Sequence, residues 1–122
     1  MERYKLEEVM SGHEADCLWI TLGFSSGLCA NDVLHIVRGT VTDEKKSELG
    51  VAGLYLERFD QAYSCTGGAE HIAATPLSVQ VRLNEKGRDA LGFADTEVWF
   101  DASNNLAKYG EALEILQKMI EL

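Results

Sequence analysis

The chain is short of several things, and each shortage excludes something. A single proline among 122 residues leaves no Pro-rich linker or polyproline recognition segment. The three cysteines, Cys17, Cys29 and Cys65, are an odd number with no C-x-x-C pair, which removes the common zinc and thioredoxin-like motifs. The longest apolar stretches, such as Ala15–Phe24, are short and carry polar residues, whereas a membrane-spanning helix needs about 20 apolar residues. The opening Met1-Glu2-Arg3-Tyr4-Lys5-Leu6-Glu7-Glu8 has no apolar core of a secretory signal. Bases are scarce: eleven Lys and Arg against twenty Asp and Glu give −9. That sign repels phosphate backbones and anionic lipid, so nucleic acid and membrane surfaces are disfavoured as partners. The expectation is a cytoplasmic protein with three reduced thiols.

What is present describes one globular domain spanning residues 1–122. At 46% hydrophobic and 25% charged, the composition supports a packed core without staples or metal. Tyr4–Met10 alternates weakly and reads as a strand. Cys17–Phe24 is rich in aromatic and β-branched residues and reads as a strand, as does Val33–Arg38. The polar stretch Thr42–Glu48 reads as an exposed loop or one helical turn. Gly53–Phe59 looks extended, with Leu54, Leu56 and Arg58 on one face and Tyr55 and Glu57 on the other. Gln61–Glu70, containing Gly67-Gly68, reads as a tight turn or bulge. His71–Thr75 and Ser78–Leu83 read as strands on either side of Pro76.

Asn84 suits the N-cap of a short helix over Glu85–Leu91, with Gly92 at its left-handed end. Glu97–Asp101 closes the strands. Ser103 or Asn104 is the expected cap of a terminal helix whose apolar stripe is Leu106, Tyr109, Leu113, Leu116 and Ile120. Strands first and helices last, with short connections, predict an α+β fold: an antiparallel sheet with the C-terminal amphipathic helix packed on one face.

Catalytic and cofactor motifs are missing. His13, His35 and His71 form no metal-ligating spacing, and His35 reads as a solvent-facing or satisfied strand histidine. No phosphate loop occurs, and the paired carboxylates (Glu7-Glu8, Asp43-Glu44, Glu57 with Asp60) read as solvated faces. No cofactor or metal is expected. The sharpest enzyme alternative is a small cysteine hydrolase with Cys65 as nucleophile, His71 as base and the Gly67-Gly68 amides as oxyanion donors. A nucleophilic cysteine needs a lowered pKa, from a helix N-terminus or a paired histidine, and the residues after Cys65 predict a turn and a strand. A third alternative is a homodimeric accessory binding module using an exposed sheet edge.

Tyr55, Glu57, Gln61, Tyr63 and Gly67-Gly68 form an ordered series: a Tyr-x-Glu strand, a Gln four residues after that Glu, then a Tyr/Gly-rich turn into a strand. With the downstream Leu77–Leu83, Glu85–Gly92, Glu97–Phe100 and the terminal helix, this series resembles the immunity protein 10 family of bacterial polymorphic toxin systems over about residues 15–122. The resemblance implies a protein that binds and neutralises a cognate toxin domain without catalysis. A basic toxin, such as a nuclease, fits the charge of this chain best. The candidate partner-binding residues are Asp43, Glu44 and Glu48 in the polar loop and Asp60 and Tyr63 near the turn. Tyr55, Glu57, Gln61, Gly67 and Gly68 are expected to support the fold, Glu57 and Gln61 by bonding backbone groups that the turn leaves unpaired.

Overall fold

A computed structural model describes residues 1–27, 31–39 and 50–121. Eight strands run in the order β1 (Glu2–His13), β2 (Cys17–Phe24), β3 (Asp32–Gly39), β4 (Tyr55–Arg58), β5 (Ser64–Thr66), β6 (Ala69–Ala74), β7 (Ser78–Leu83) and β8 (Glu97–Asp101). A single 3-10 turn, Gly50–Gly53, precedes β4; helix α1 (Glu85–Leu91) lies between β7 and β8, and α2 (Leu106–Glu121) follows β8. The fold is α+β, as the sequence predicts, with one difference: the sheet is antiparallel except where β1 and β8 pair in parallel. The sheet order is β5-β4-β3-β2-β1-β8-β7-β6, so two antiparallel meanders, β1–β5 and β6–β8, are joined along the parallel pair.

That order has a geometric consequence. Strands β5 and β6 stand at opposite ends of the sheet, yet only Gly67 and Gly68 separate them. Three residue steps reach about 11 Å at most, while seven strand spacings in a flat sheet would cover roughly 34 Å. The sheet therefore curls until its two edges approach one another at this corner. Gly67 takes φ +77° there, a conformation available to glycine at little cost. Asn84 fastens the corner to α1: its backbone N–H donates to the Gly68 carbonyl (2.9 Å) and its side-chain amide to the Gly67 carbonyl (3.0 Å). Its side-chain oxygen caps the helix by accepting from Gly87 N–H (2.7 Å). Gly92 closes α1 at φ 71°. Both ends of this helix are where the sequence puts them.

The inner face of the curl holds one hydrophobic cluster, with Leu6, Ile20, Leu22, Phe24, Leu34, Ile36, Leu56, Val81 and Phe100 among its fully buried members. Helix α2 packs on this face along β1 and β2. Its buried residues are Tyr109, Ala112, Leu116 and Met119, so the stripe is rotated from the expected one and Leu106 stays exposed. Large apolar residues surround much of the helix, and size alone points to the wrong meridian; small Ala112 marks the side that approaches the strands closely. The cap expectation fails as well. The helix starts at Leu106, and the preceding Asn105 donates its side-chain amide to the Leu6 carbonyl (2.7 Å), tying the helix start to β1. Farther along, the Tyr109 hydroxyl reaches the carbonyls of Thr75 and Ser78 at 2.8 and 2.6 Å, and burial pushes its pKa up to about 12.

The segment Gln61–Glu70 holds more structure than one turn. A three-residue strand, β5, lies inside it, and the β6–β7 register slips between Ala69 and His71, placing a bulge at Glu70. A strand this short leaves too little alternation to be read from sequence.

Candidate protein-binding face

Two sides of the β2–β5 sheet compete for apolar residues. An antiparallel sheet with one wet face alternates cleanly, as β7 does with buried Val79, Val81 and Leu83 between less buried Gln80 and Arg82. Strands β2, β3 and β4 do not. Their outward positions carry Trp19, Val33, Val37 and Tyr55, all half-buried. Strand pairing lines these up into rows: Gly12, Trp19, Val37, Tyr55 and Thr66 across one line, and Met10, Thr21, His35, Glu57 and Ser64 across the next. Gly12 is needed here, because a Cβ on it would sit 2.6 Å from the Trp19 indole; the indole leans over the glycine and leaves the space above Val37 open.

The second row is hydrogen-bonded. His35 Nδ1 and the Thr21 hydroxyl lie 2.9 Å apart, so His35 is a satisfied, outward strand histidine. The Tyr55 hydroxyl donates to Glu57 Oε1 (2.8 Å). A bond involving Ser64 lowers the phenol's pKa, but donation to Glu57 and burial outweigh it and leave it raised, so Tyr55 remains a donor at neutral pH. Tyr55 and Glu57 thus bond each other rather than the turn's backbone. Gln61 contributes only its carbonyl, which accepts from the Ser64 hydroxyl (2.9 Å). The turn is supported by Asp60, whose carboxylate accepts from Ala62 N–H (2.8 Å). The expected backbone-bonding roles of Glu57 and Gln61 are therefore corrected: a short aspartate inside the turn reaches the free N–H, which a glutamate on the outward strand face does not.

The face ends at the β4–β5 turn, where Phe59 and Tyr63 are 55% and 48% exposed. Phe59 has φ 70° and is the only described non-glycine residue with positive φ. Asp60 N–H donates to the Arg58 carbonyl (2.8 Å) across it, a three-residue turn of the strained hand. A bulky residue held this way costs roughly 1–3 kcal/mol, and such strain gathers at functional sites. Phe59→Gly is expected to melt higher than Phe59→Ala by an amount equivalent to about 1 kcal/mol, because both lack the ring and only glycine relieves the backbone. Equal melting temperatures would show that the turn stores no strain.

Charge on this side is of one sign. Among the described residues, no outward position of β2–β5 is Lys or Arg. Glu57 and Asp60 stand on the face or its turn, with Glu7 and Glu8 at its β1 border. Outward bases appear at and beyond the parallel pair, at Arg3 and Lys5 on β1 and Arg82 on β7. Of the expected interface residues, the structure brings Asp60 and Tyr63 together in one turn; Asp43, Glu44 and Glu48 lie outside the described residues. Sequence reasoning missed Trp19, Val37 and Phe59. The broken alternation of Cys17–Phe24 and Val33–Arg38 was the available sign of a second apolar surface.

The hydrolase pair does not assemble. Cys65 faces the core, while His71 is solvent-exposed; burial pushes the Cys65 thiol up, overriding the lowering by Lys86 and the Gly68 backbone. A protonated thiol packed against Gly68 is a core residue, not an activated nucleophile. Glu14, Asp16 and Cys17 bring ligand atoms within 4.8 Å of one another at the β1–β2 turn, but exposed carboxylates at a turn need no ion to account for them. No described helix is long and apolar enough to cross a membrane.

Comparisons with family models, curated proteins and solved structures find no match to this chain.

Proposed function

We propose that the chain is a binding inhibitor of the immunity-protein kind, which neutralises a cognate toxin domain by covering it and performs no chemistry of its own. The single observation carrying this reading is the outward face of β2–β5, where half-buried aromatic and aliphatic side chains stand among carboxylates with no described Lys or Arg. Aromatic anchors ringed by polar groups are what binding hot spots are made of, and acidic surroundings speed encounter with a basic partner. The ordered motif Tyr55, Glu57, Gln61, Tyr63, Gly67 and Gly68 supports the same reading through its resemblance to the immunity family. A nuclease toxin, basic because it must hold phosphates, is the partner that fits −9 best. No cofactor takes part.

The test is capture and titration of the C-terminal domain encoded by the neighbouring upstream reading frame. Binding with inhibition supports the proposal, and failure to bind removes it. Tyr63→Ala is expected to weaken that complex about tenfold and Glu44→Ala by less than about threefold, because aromatic anchors carry more binding energy than single charges. The reverse order would move the interface to the polar segment containing Asp43, Glu44 and Glu48.

A further inference from the structure

The geometry points to a seat for a basic side chain in the outward groove above Val37, the occupant being an arginine or lysine on the docking surface of the partner. The inference rests on the protein-binding reading above and adds the chemistry of the anchoring residue. The groove encloses about 360 Å³ and is lined by Trp19, Thr21, His35, Val37, Tyr55 and Glu57. Val37 and the indole offer an apolar bed for the methylene stem of a long cationic side chain. Beyond them the only lining carboxylate, Glu57, stands beside the Tyr55 ring. One oxygen of Glu57 accepts from the Tyr55 hydroxyl, and the other accepts nothing among the described residues. Tyr55 thereby fixes the carboxylate without neutralising it, and a charge held in position loses little freedom when a cation arrives.

The other half of the molecule supplies an internal comparison. Trp99, outward on β8, is covered by the chain's own Arg3, whose guanidinium carbon lies 4.9 Å from the ring centroid. Trp19 occupies the corresponding outward role on β2, yet no described outward residue of β2–β5 is Lys or Arg. One tryptophan is satisfied by an internal cation; the other has the carboxylate and the open groove without a cation among the described residues. Attraction between a cation and an aromatic face operates within about 6 Å of the ring centroid, so a side chain lying along Val37 and ending at Glu57 engages the Tyr55 ring as well.

The experiment uses the intact chain and small probes: N-acetyl-arginine methylamide, N-acetyl-lysine methylamide and the uncharged isostere N-acetyl-citrulline methylamide, followed at the two indole N–H resonances by NMR. Saturable shifts at Trp19 but not Trp99 are expected with one or both cationic probes and not with citrulline. Glu57→Gln should weaken this binding about tenfold, as expected when the charged partner of a half-buried ion pair is lost, while Tyr55→Phe, which keeps ring and carboxylate, should retain most of it. Equal shifts from citrulline, undiminished binding by a folded Glu57→Gln, or a silent Trp19 at the solubility limit would overturn the inference. The two readings separate cleanly. A toxin domain that binds the wild type and Glu57→Gln equally sinks the groove and leaves the protein-binding function standing. Probe binding without any toxin binding does the opposite.

Discussion

Arg58→Ala is expected to cost about 3–5 kcal/mol of stability, the usual penalty for removing one partner of a buried ion pair. Arg58 and Asp32 are 5% and 3% exposed, and the guanidinium donates through Nη2 (2.8 Å) and Nε (3.1 Å) to one Asp32 oxygen. It also caps α1 from the C-terminal side, donating to the Gly92 carbonyl at 3.0 Å, and its carbon lies 4.0 Å from the Phe93 ring centroid. One side chain thus joins β3, β4 and the end of α1. Alanine would strand the carboxylate with, among the described residues, the Ser26 hydroxyl (2.8 Å) and Val33 N–H (2.8 Å) as its remaining partners. The melting temperature should fall by about 10–20 °C, and Arg58→Lys, keeping charge but losing the fork, should fall in between. A drop of less than about 2 °C for alanine would mean the network contributes little.

The same network sets a pH dependence. Burial alone would raise the Asp32 carboxyl; hydrogen bonds from Arg58 and Ser26, and the charge of Arg58, outweigh it and hold the group below the ordinary carboxylate value. A group with a depressed folded-state pKa contributes stability that is fully present above its unfolded value, about 3.9, and is lost as pH falls through the folded one. The wild type should therefore lose this contribution only in strong acid. In Arg58→Ala burial is less opposed, the folded-state value rises towards the unfolded one, and the loss of stability on acidification should be smaller than in the wild type, so that thermal melts show the gap between the two proteins narrowing from neutral to acid pH.

Much of this framework is legible in the amino-acid order, and the illegible parts share a cause. Asn84 and Gly92 were readable because capping is local: the residue that bonds the helix end lies within a few positions of it. Leu54, Leu56 and Arg58 share one face, and so do Asp32, Leu34, Ile36 and Arg38, because period-2 alternation survives even when the in-phase residue is charged. What the alternation does not tell is that Asp32 and Arg58 meet, since that depends on which strands become neighbours. The parallel β1–β8 pair and the meeting of β5 with β6 escaped for the same reason. The outward face was half legible. Tyr55 and Glu57 were placed on it correctly, but their bond to each other arises because χ angles bring i and i+2 neighbours together on a strand, which the motif's spacing leaves open. Phe59 escaped because left-handed backbone is expected of glycine or asparagine, not phenylalanine.

Gly87→Ala and Gly110→Ala are the same chemical change in two helices, and they are expected to move stability in opposite directions. By intrinsic propensity both should stabilise, since glycine inside a helix is about 0.5–1 kcal/mol less favourable than alanine. Gly110 is exposed on α2, and a Cβ added to it would meet nothing within 4 Å, so propensity decides and the melting temperature should rise. Gly87 is buried in α1 against the Gly67-Gly68 corner. A Cβ there would lie 2.8 Å from both Cα and carbonyl carbon of Gly68, and closer still to its oxygen. Neither side of that contact is a flexible side chain that can turn away; both are backbone, and the Gly68 carbonyl is also held by Asn84 N–H. Overpacking of about 1–3 kcal/mol therefore exceeds the propensity gain, and Gly87→Ala should lower stability while Gly110→Ala raises it. The size of the gap measures how firmly the curled sheet is shut, because α1 can retreat from Gly68 only by loosening the corner where β5 hands over to β6. If both variants gained stability alike, the corner would be open and the two sheet edges would be free of each other.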